Sequence, residues 1–355
     1  MNEAIFACAG SRKTTTVINK SVSLFNNQKR VLILTYTIMN KEELKNRISS
    51  QLGFIPQNLS VLTWVSFLIN DCVRPYQKAS YGGSSIKGIT FIQGQSATYI
   101  DERKTKGHYI TDNENLYSDK LAKFAVKCNK DSNGLVIQRL EQLWDYIFID
   151  EVQDLASYDL DIIALLFKSK IATIVVGDIR QVVYSTHHAR RLSQYRKEKA
   201  IEFYREAEKK ELCKVIEKNE CYRSIQVICD FADLIFPDLK KTISKYKGKT
   251  EHQGIFIVNE KDTNEYYEKY SPKVLRHSKS SNTFNLKAIN YGKSKGQTYE
   301  RVLIFPTKPI RDFLKTGDIK YLKDKHKFYV SITRAAESVA FVYNTKSPIK
   351  LIQEY

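Results

Sequence analysis

Apolar residues in this chain gather into short runs rich in β-branched and aromatic side chains. The runs are separated by stretches whose apolar positions recur at helical spacing, the pattern of strands alternating with helices. Ala4-Ile5-Phe6-Ala7, Arg30-Val31-Leu32-Ile33-Leu34-Thr35, Leu59-Ser60-Val61-Leu62, Tyr146-Ile147-Phe148-Ile149 and Ala172-Thr173-Ile174-Val175-Val176-Gly177 predict the strands of a first sheet. Most are continuous rather than alternating, so both faces are expected to be covered, as in a parallel sheet. Val17, Ile18, Val22 and Phe25, then Leu44 and Ile48, then Leu135, Ile137, Leu140 and Leu143, then Leu160, Ile163, Leu165 and Leu166 mark the buried stripes of the intervening helices.

The second half repeats the alternation, with strands expected at 254–258, 274–275, 287–290, 301–305 and 339–343. Helices are expected through Phe231 and Ile235 and around Phe328 to Arg334. Two places break the rhythm. From about Asp71 to Asn133 a Gly-rich loop (Gly82, Gly83, Gly88) and a series of lysines (Lys104, Lys106, Lys120, Lys123, Lys127, Lys130) read as a small basic insertion in the first sheet domain. From Arg190 to Lys218 the chain reads as a charged helical stretch with a solvated face, and the domain boundary is placed there. The expected organisation is α/β with parallel sheets, a first domain over 1–190 and a second over 191–355.

Composition adds a partner class. The 355 residues carry 57 Lys and Arg against 39 Asp and Glu, a net charge of +18, and aromatic residues make up 12%. An excess of this size favours a polyanion, because each phosphate contact releases condensed counterions, and aromatic rings suit base stacking. A basic surface kept for solubility is the competing explanation. No apolar stretch is long enough to span a bilayer, and Met1-Asn2-Glu3-Ala4 leads into a strand without a signal pattern, so a cytoplasmic protein with no membrane partner is expected. The six cysteines form no C-x-x-C pair, which argues against a zinc site or disulfide framework.

Chemistry falls at the strand ends. The run 146–149 ends in Asp150 and Glu151, placed at the carboxyl edge of the sheet, where one acid could hold a divalent cation and the other polarise water. The first strand runs into Ala9-Gly10-Ser11-Arg12-Lys13-Thr14-Thr15 and then a helix, the order of a phosphate-binding loop. The usual G-x-x-x-x-G-K-[ST] would put glycines at Ala7 and Arg12, so the loop matches only in Lys13, Thr14 and an interior Gly10. Thr35, Tyr36, Thr63 and Trp64 put hydroxyls and aromatics at two further strand ends, a pattern equally consistent with helix caps and core aromatics.

In order, Lys13-Thr14, Asp150-Glu151-Val152-Gln153-Asp154, Gly177-Asp178 with Gln181, Tyr222-Arg223-Ser224, Lys293-Ser294-Lys295-Gly296-Gln297-Thr298 and Ile332-Thr333-Arg334-Ala335 resemble the motif series of superfamily 1 helicases of the UvrD/Rep/PcrA type. The resemblance spans nearly the whole chain. It implies two RecA-like P-loop domains that clamp ATP and Mg²⁺ and move along single-stranded or partly duplex DNA. By the same resemblance Lys13 neutralises the β and γ phosphates, Thr14 and Asp150 hold Mg²⁺, and Glu151 activates water. Gln181 senses the γ-phosphate, Tyr222 stacks on adenine, and Arg223 and Arg334 act as arginine fingers. Thr35, Tyr36, Thr63, Trp64, Tyr184, Lys293, Ser294 and Lys295 fall at the family's strand-contacting motifs.

Departures accompany the match. Arg12 stands in place of the glycine before the catalytic lysine, where it could add phosphate affinity or block the pocket. Thr186-His187 replaces a Trp-Arg pair, and Thr298 replaces an acid near the ribose. About seventy residues separate Ser224 from Lys293, which leaves no room for the large insertion of processive members. Two functions are therefore expected to compete: an ATP-dependent translocase or helicase, working with a nuclease subunit in antiviral defence or repair as short relatives do, or a nucleic-acid-binding regulatory subunit with a degenerate nucleotide site. Arg12 favours the second, and the retention of Lys13, Glu151, Gln181, Arg223 and Arg334 favours the first.

Overall fold

The computed structural model describes residues 1–54, 56–82, 85–183 and 191–355. By contacts the chain divides into two compact units. The first comprises Met1–Phe6, Lys13–Ile179 and Tyr184–Glu217, the second Ala7–Arg12, Arg180–Val183 and Lys218–Tyr355. Two short segments flanking strand ends of the first sheet, the loop before Lys13 and the stretch after Ile179, thus pack with the second unit.

In the first unit the strands are β1 (Glu3–Ala7), β2 (Val31–Thr35), β3 (Leu59–Thr63), β4 (Gly88–Thr90), β5 (Asn115–Tyr117), β6 (Tyr146–Ile149), β7 (Ala172–Gly177) and β8 (Lys214–Lys218). Six of them form one sheet in the order β3-β2-β6-β7-β1-β8, so β7 lies between the strand that feeds the loop and the strand that ends in the acids. The pairs β2/β3, β2/β6, β6/β7 and β1/β7 are parallel. All five residues of β2 are buried, the outcome expected of a continuous apolar run covered on both faces. Register decides what gathers at the carboxyl edge. Thr35 lies opposite Thr63, Leu34 opposite Ile149, Ile149 opposite Val175 and Phe6 opposite Gly177. Thr35, Thr63, Asp150 and Asp178 therefore emerge along one rim.

Helix α1 (Lys13–Asn26) begins directly at Lys13 and buries Val17, Ile18 and Val22. Helix α2 (Ile38–Leu52) is capped by Thr37, whose hydroxyl accepts from the Asn40 amide, and is closed by Gly53 at φ 81°. The insertion is ordered around β4, β5 and a helix at Leu121–Asp131 that buries Leu121, Ala122, Phe124, Ala125 and Cys128.

The second unit has β9 (Glu220–Cys221), β10 (Ile243–Ser244), β11 (Gly254–Val258), β12 (Lys273–Arg276), β13 (Ala288–Asn290), β14 (Tyr299–Ile304), β15 (Ala335–Val342) and β16 (Ile352–Glu354). Its six-stranded sheet runs β13-β12-β14-β15-β11-β16, and every neighbouring pair is parallel. Phe231, Phe313, Phe328 and Phe341 form an aromatic cluster beside β15, with ring centroids 5.7–6.5 Å apart. The protein is thus α/β with two parallel sheets. No helix among the described residues is long and apolar enough to cross a membrane.

The charged stretch at 190–218 departs from its expected form. The α-helix covers only Ala200–Lys209, where Ala200, Ile201, Tyr204 and Ala207 are buried, and Lys214–Lys218 is the edge strand β8. Periodicity missed the strand because an edge strand needs few apolar residues and tolerates charge. The edge strand β16 and the polar helices at Thr263–Tyr270 and Lys308–Thr316 were missed for a similar reason, since the helices commit only two or three side chains to the core and β16 fully buries none.

Gly177 ends β7 where the chain must pass close to the turn after β6. A Cβ there would meet Gln153 Oε1 at 2.5 Å and Val152 Cγ1 at 2.9 Å. Gly177→Ala is expected to cost about 1–3 kcal/mol through this overpacking, read as a lowered urea midpoint at unchanged m-value.

Candidate active site

In the first unit the rim holds two oxygen donors side by side. The Thr14 hydroxyl, in the first turn of α1, donates to Asp150 Oδ2 at 3.2 Å. Asp150 is buried, and its backbone amide donates to the Leu34 carbonyl, which fixes the carboxylate at the end of β6. Burial, with Glu151 next to it, pushes the Asp150 carboxyl up to about 7, against the lowering pull of the Glu151 amide, Lys13 and Thr14. Octahedral Mg²⁺ with oxygens at 2.0–2.1 Å sets neighbouring ligands about 2.9 Å apart. The spacing and chemistry of Thr14 and Asp150 fit such an ion, whose charge would offset the desolvation of the carboxylate.

Glu151 follows in left-handed backbone at φ 58°, a conformation disfavoured for a side chain of its size. The turn at Val152–Asp154 holds it there. The Gln153 amide nitrogen donates to Glu151 Oε2, while Gln153 Oε1 accepts from the Asp178 amide at 3.0 Å. Gln153 therefore ties the ends of β6 and β7 together and orients Glu151. Lys13 Nζ lies 3.8 Å from the buried Asp178 carboxylate. Gln153 and Asp178 were visible in the sequence only as motif neighbours, and their positioning role comes from this geometry. The Thr15 hydroxyl accepts from Arg47 at 2.7 Å, which ties the first turn of α1 to α2.

In the second unit the loop Ala7–Arg12 packs on the segment after β9. Gly10, at φ 74°, accepts from the Tyr222 amide at 2.9 Å, and a Cβ on it would lie 2.7 Å from both Arg223 Cβ and Cys221 Sγ. The Ala9 amide donates to the Tyr329 hydroxyl at 3.4 Å. The Ser11 hydroxyl is buried without a hydrogen-bond partner among the described residues, an open donor in the loop meant for phosphate. Arg12 sits at φ 61° with its guanidinium 4.3 Å from the centre of the Tyr222 ring.

The remaining candidates of this unit converge on Thr333. Arg223 donates to the Thr333 carbonyl at 3.1 Å. Arg334 is buried, donating to the carbonyls of Val330 at 3.1 Å and Gln297 at 3.2 Å and to Gln181 Oε1 at 3.3 Å. Gln181 and Arg334, 153 positions apart in the chain, are thus direct neighbours.

The strand-contacting candidates divide. Tyr36 is half-buried and lines a cleft of about 350 Å³ together with Val65, Leu68, Ser118 and the exposed Phe91 of the insertion. Nothing in the sequence distinguished Phe91. Trp64 lines the same cleft; it is buried, and its indole N–H donates to Asp159 at 2.7 Å. Thr63 is a helix cap, accepting from the Ser66 amide at 3.1 Å, and Thr35 is buried. Ser294 is fully buried and its hydroxyl donates to the Tyr291 carbonyl. Lys293 is exposed and Lys295 half-buried. Tyr184, with Thr186 and His187, lies outside the described residues.

Comparison with known proteins bears mainly on the first half. A solved helicase, arterivirus nonstructural protein 10 in complex with DNA, aligns with 96% of this chain at 13% identity and a TM-score of 0.48, and the chain spans 60% of that protein's length. No curated protein matches the chain in sequence. Residues 2–68 and 103–200 match the family model of the UvrD/REP helicase N-terminal domain, and the match carries Lys13, Thr14, Asp150, Glu151 and Gln181 while skipping 69–102, most of which lies in the insertion. Over these residues the chain is similar to the UvrD/REP helicase N-terminal domain, the first domain of UvrD-like superfamily 1 helicases.

Proposed function

We propose that the protein hydrolyses ATP to drive its movement along single-stranded DNA. The observation that carries the reading is the Thr14 hydroxyl on Asp150 at 3.2 Å with Glu151 next in the chain, an oxygen pair suited to Mg²⁺ beside a positioned carboxylate. When bound, Mg²⁺ supplies charge neutralisation at the phosphate oxygens. Lys13 neutralises the β and γ phosphates, and the amides of the Ala9–Thr15 stretch wrap them at the start of α1. Glu151, held by Gln153, accepts a proton from the attacking water. Arg223 and Arg334 stabilise the charge that develops on the transferred phosphoryl group, and Gln181 reports its presence through its bond to Arg334.

The DNA reading rests on the net charge of +18, the exposed Lys293, and the cleft at Tyr36 and Phe91, where rings could receive bases. Thr14 with Asp150, Lys13, and the neighbouring Gln181 and Arg334 favour hydrolysis over a purely regulatory nucleotide site. Association with a nuclease subunit in antiviral defence or repair follows from the resemblance to short family members.

ATP turnover should be stimulated by single-stranded DNA and should fall by at least a hundredfold in Lys13→Ala and in Glu151→Gln, the loss expected of a phosphate clamp and of a general base. Wild-type turnover no higher than that of either variant refutes the motor reading. Asp150 gives a second outcome, read without divalent ions. The native carboxyl keeps its proton up to about pH 7, whereas the unfolded one releases it near 3.8. Unfolding therefore releases a proton in that window, and stability falls as pH rises through it. Asp150→Asn removes the penalty, so it should stabilise the apo protein by about 1–3 kcal/mol at pH 8, with the gain shrinking toward pH 5 in chemical denaturation.

A further inference from the structure

Arg12 lies against the ring to which the family resemblance assigns the base. Its guanidinium lies over the Tyr222 ring at 4.3 Å, a stacking distance, and Tyr222 is held in turn by its hydroxyl donating to Glu220 at 2.6 Å. Three features make this contact built rather than incidental. The Tyr222 amide donates to the Gly10 carbonyl, which fixes the loop in register with the ring. Gly10 is pressed so closely on Cys221 and Arg223 that no side chain fits between them. Arg12 itself adopts left-handed backbone, φ 61°, at the step from which its side chain reaches Tyr222.

We propose that Arg12 makes nucleotide recognition phosphate-led: it caps the aromatic face a base would stack on, so the protein takes any nucleoside triphosphate with little regard for the base. The proposal rests on the nucleotide reading above and sharpens it to a substrate class. Stacking strength rises with the size of the base, so an open tyrosine face favours purines over pyrimidines, and over a triphosphate lacking a base altogether. A covered face removes that contribution. The guanidinium, one residue before Lys13, adds positive charge beside the loop, which rewards phosphate in every ligand alike.

Competition against a ribose-labelled fluorescent ATP, on the full chain with Mg²⁺, measures affinity for ATP, GTP, CTP, UTP and inorganic tripolyphosphate. In the wild type all five should agree within about threefold. In Arg12→Gly, a residue that accepts φ 61° without strain, ATP and GTP should tighten about tenfold, or 1.4 kcal/mol, ahead of CTP and UTP, while tripolyphosphate does not tighten. Arg12→Lys, which keeps the charge but not the flat stacking plane, should show the same order. In a Tyr222→Leu background, Arg12→Gly should leave the ratio of ATP to tripolyphosphate unchanged. A wild type that already prefers ATP to tripolyphosphate by more than tenfold, or an Arg12→Gly ratio within twofold of wild type, overturns the proposal. If no triphosphate binds, or Lys13→Ala binds all five as well as wild type, the nucleotide site itself is refuted, a result distinct from failure of the role given to Arg12.

Discussion

Burial of one carboxylate organises the first unit. Asp150 ends a strand covered on both faces, and its amide is committed to β2, so the side chain cannot retreat toward solvent without breaking the sheet. Its charge is costly there, and the surroundings answer that cost in part: a hydroxyl from Thr14, the Glu151 amide, and the field of Lys13. The remainder is what a divalent ion would neutralise. The same constraint reaches the neighbours. Glu151 is forced into left-handed backbone as the chain turns off the sheet, Gln153 must bridge to the Asp178 amide to hold that turn, and Gly177 must lack a Cβ for the bridge to fit. The placement of the rim acids thus depends on a glycine on a neighbouring strand.

The second unit handles the opposite charge by a different means. Arg334 is buried at the end of the helix Lys325–Ile332, where the carbonyl of Val330 belongs to the last turn and the partial negative charge of the helix terminus gathers. Arg334 also donates to the carbonyl of Gln297, the amide oxygen of Gln181 and the Thr333 hydroxyl. Arg223, bonded to the Thr333 carbonyl, shares the same turn. A shift of that turn would move both arginines together, which is a stricter coupling than two independent surface arginines could provide.

The strands of the two sheets and the rim acids were legible because a parallel sheet writes itself as continuous apolar runs, and because register then forces their ends to one edge. Edge elements were not legible: β8 and β16 carry too little apolar surface to announce themselves, and the helix at Lys308–Thr316 buries only Ile310, Phe313 and Leu314. Residue types at strand ends proved ambiguous for a physical reason. Thr63, Trp64 and Ser294 are the types that bind nucleic acid and also the types that cap helices, fill cores and tie turns, and only neighbours decide between these uses. Trp64 is bonded to Asp159, and Ser294 to the Tyr291 carbonyl. Phe91 was hidden for the converse reason, since it shares with Tyr36 a cleft built from segments distant in the chain.

The altered phosphate loop shows why a glycine pattern is a compound statement. A glycine there can be required because no side chain fits, or because the backbone must enter left-handed space. At position 10 both conditions hold, since φ is 74° and Cys221 and Arg223 leave no room. At position 12 only the torsional condition applies. Its φ of 61° falls in a region other residues can enter for roughly 1–2 kcal/mol, and the side chain is exposed rather than blocked. Stacking on Tyr222 returns part of that cost. Arginine is therefore admissible at a position the pattern reserves for glycine, and the loop keeps its course into α1 with Lys13 and Thr14 in place. What changes is the surface beside them: the flexible gap a glycine would leave is filled by a cation laid across an aromatic ring.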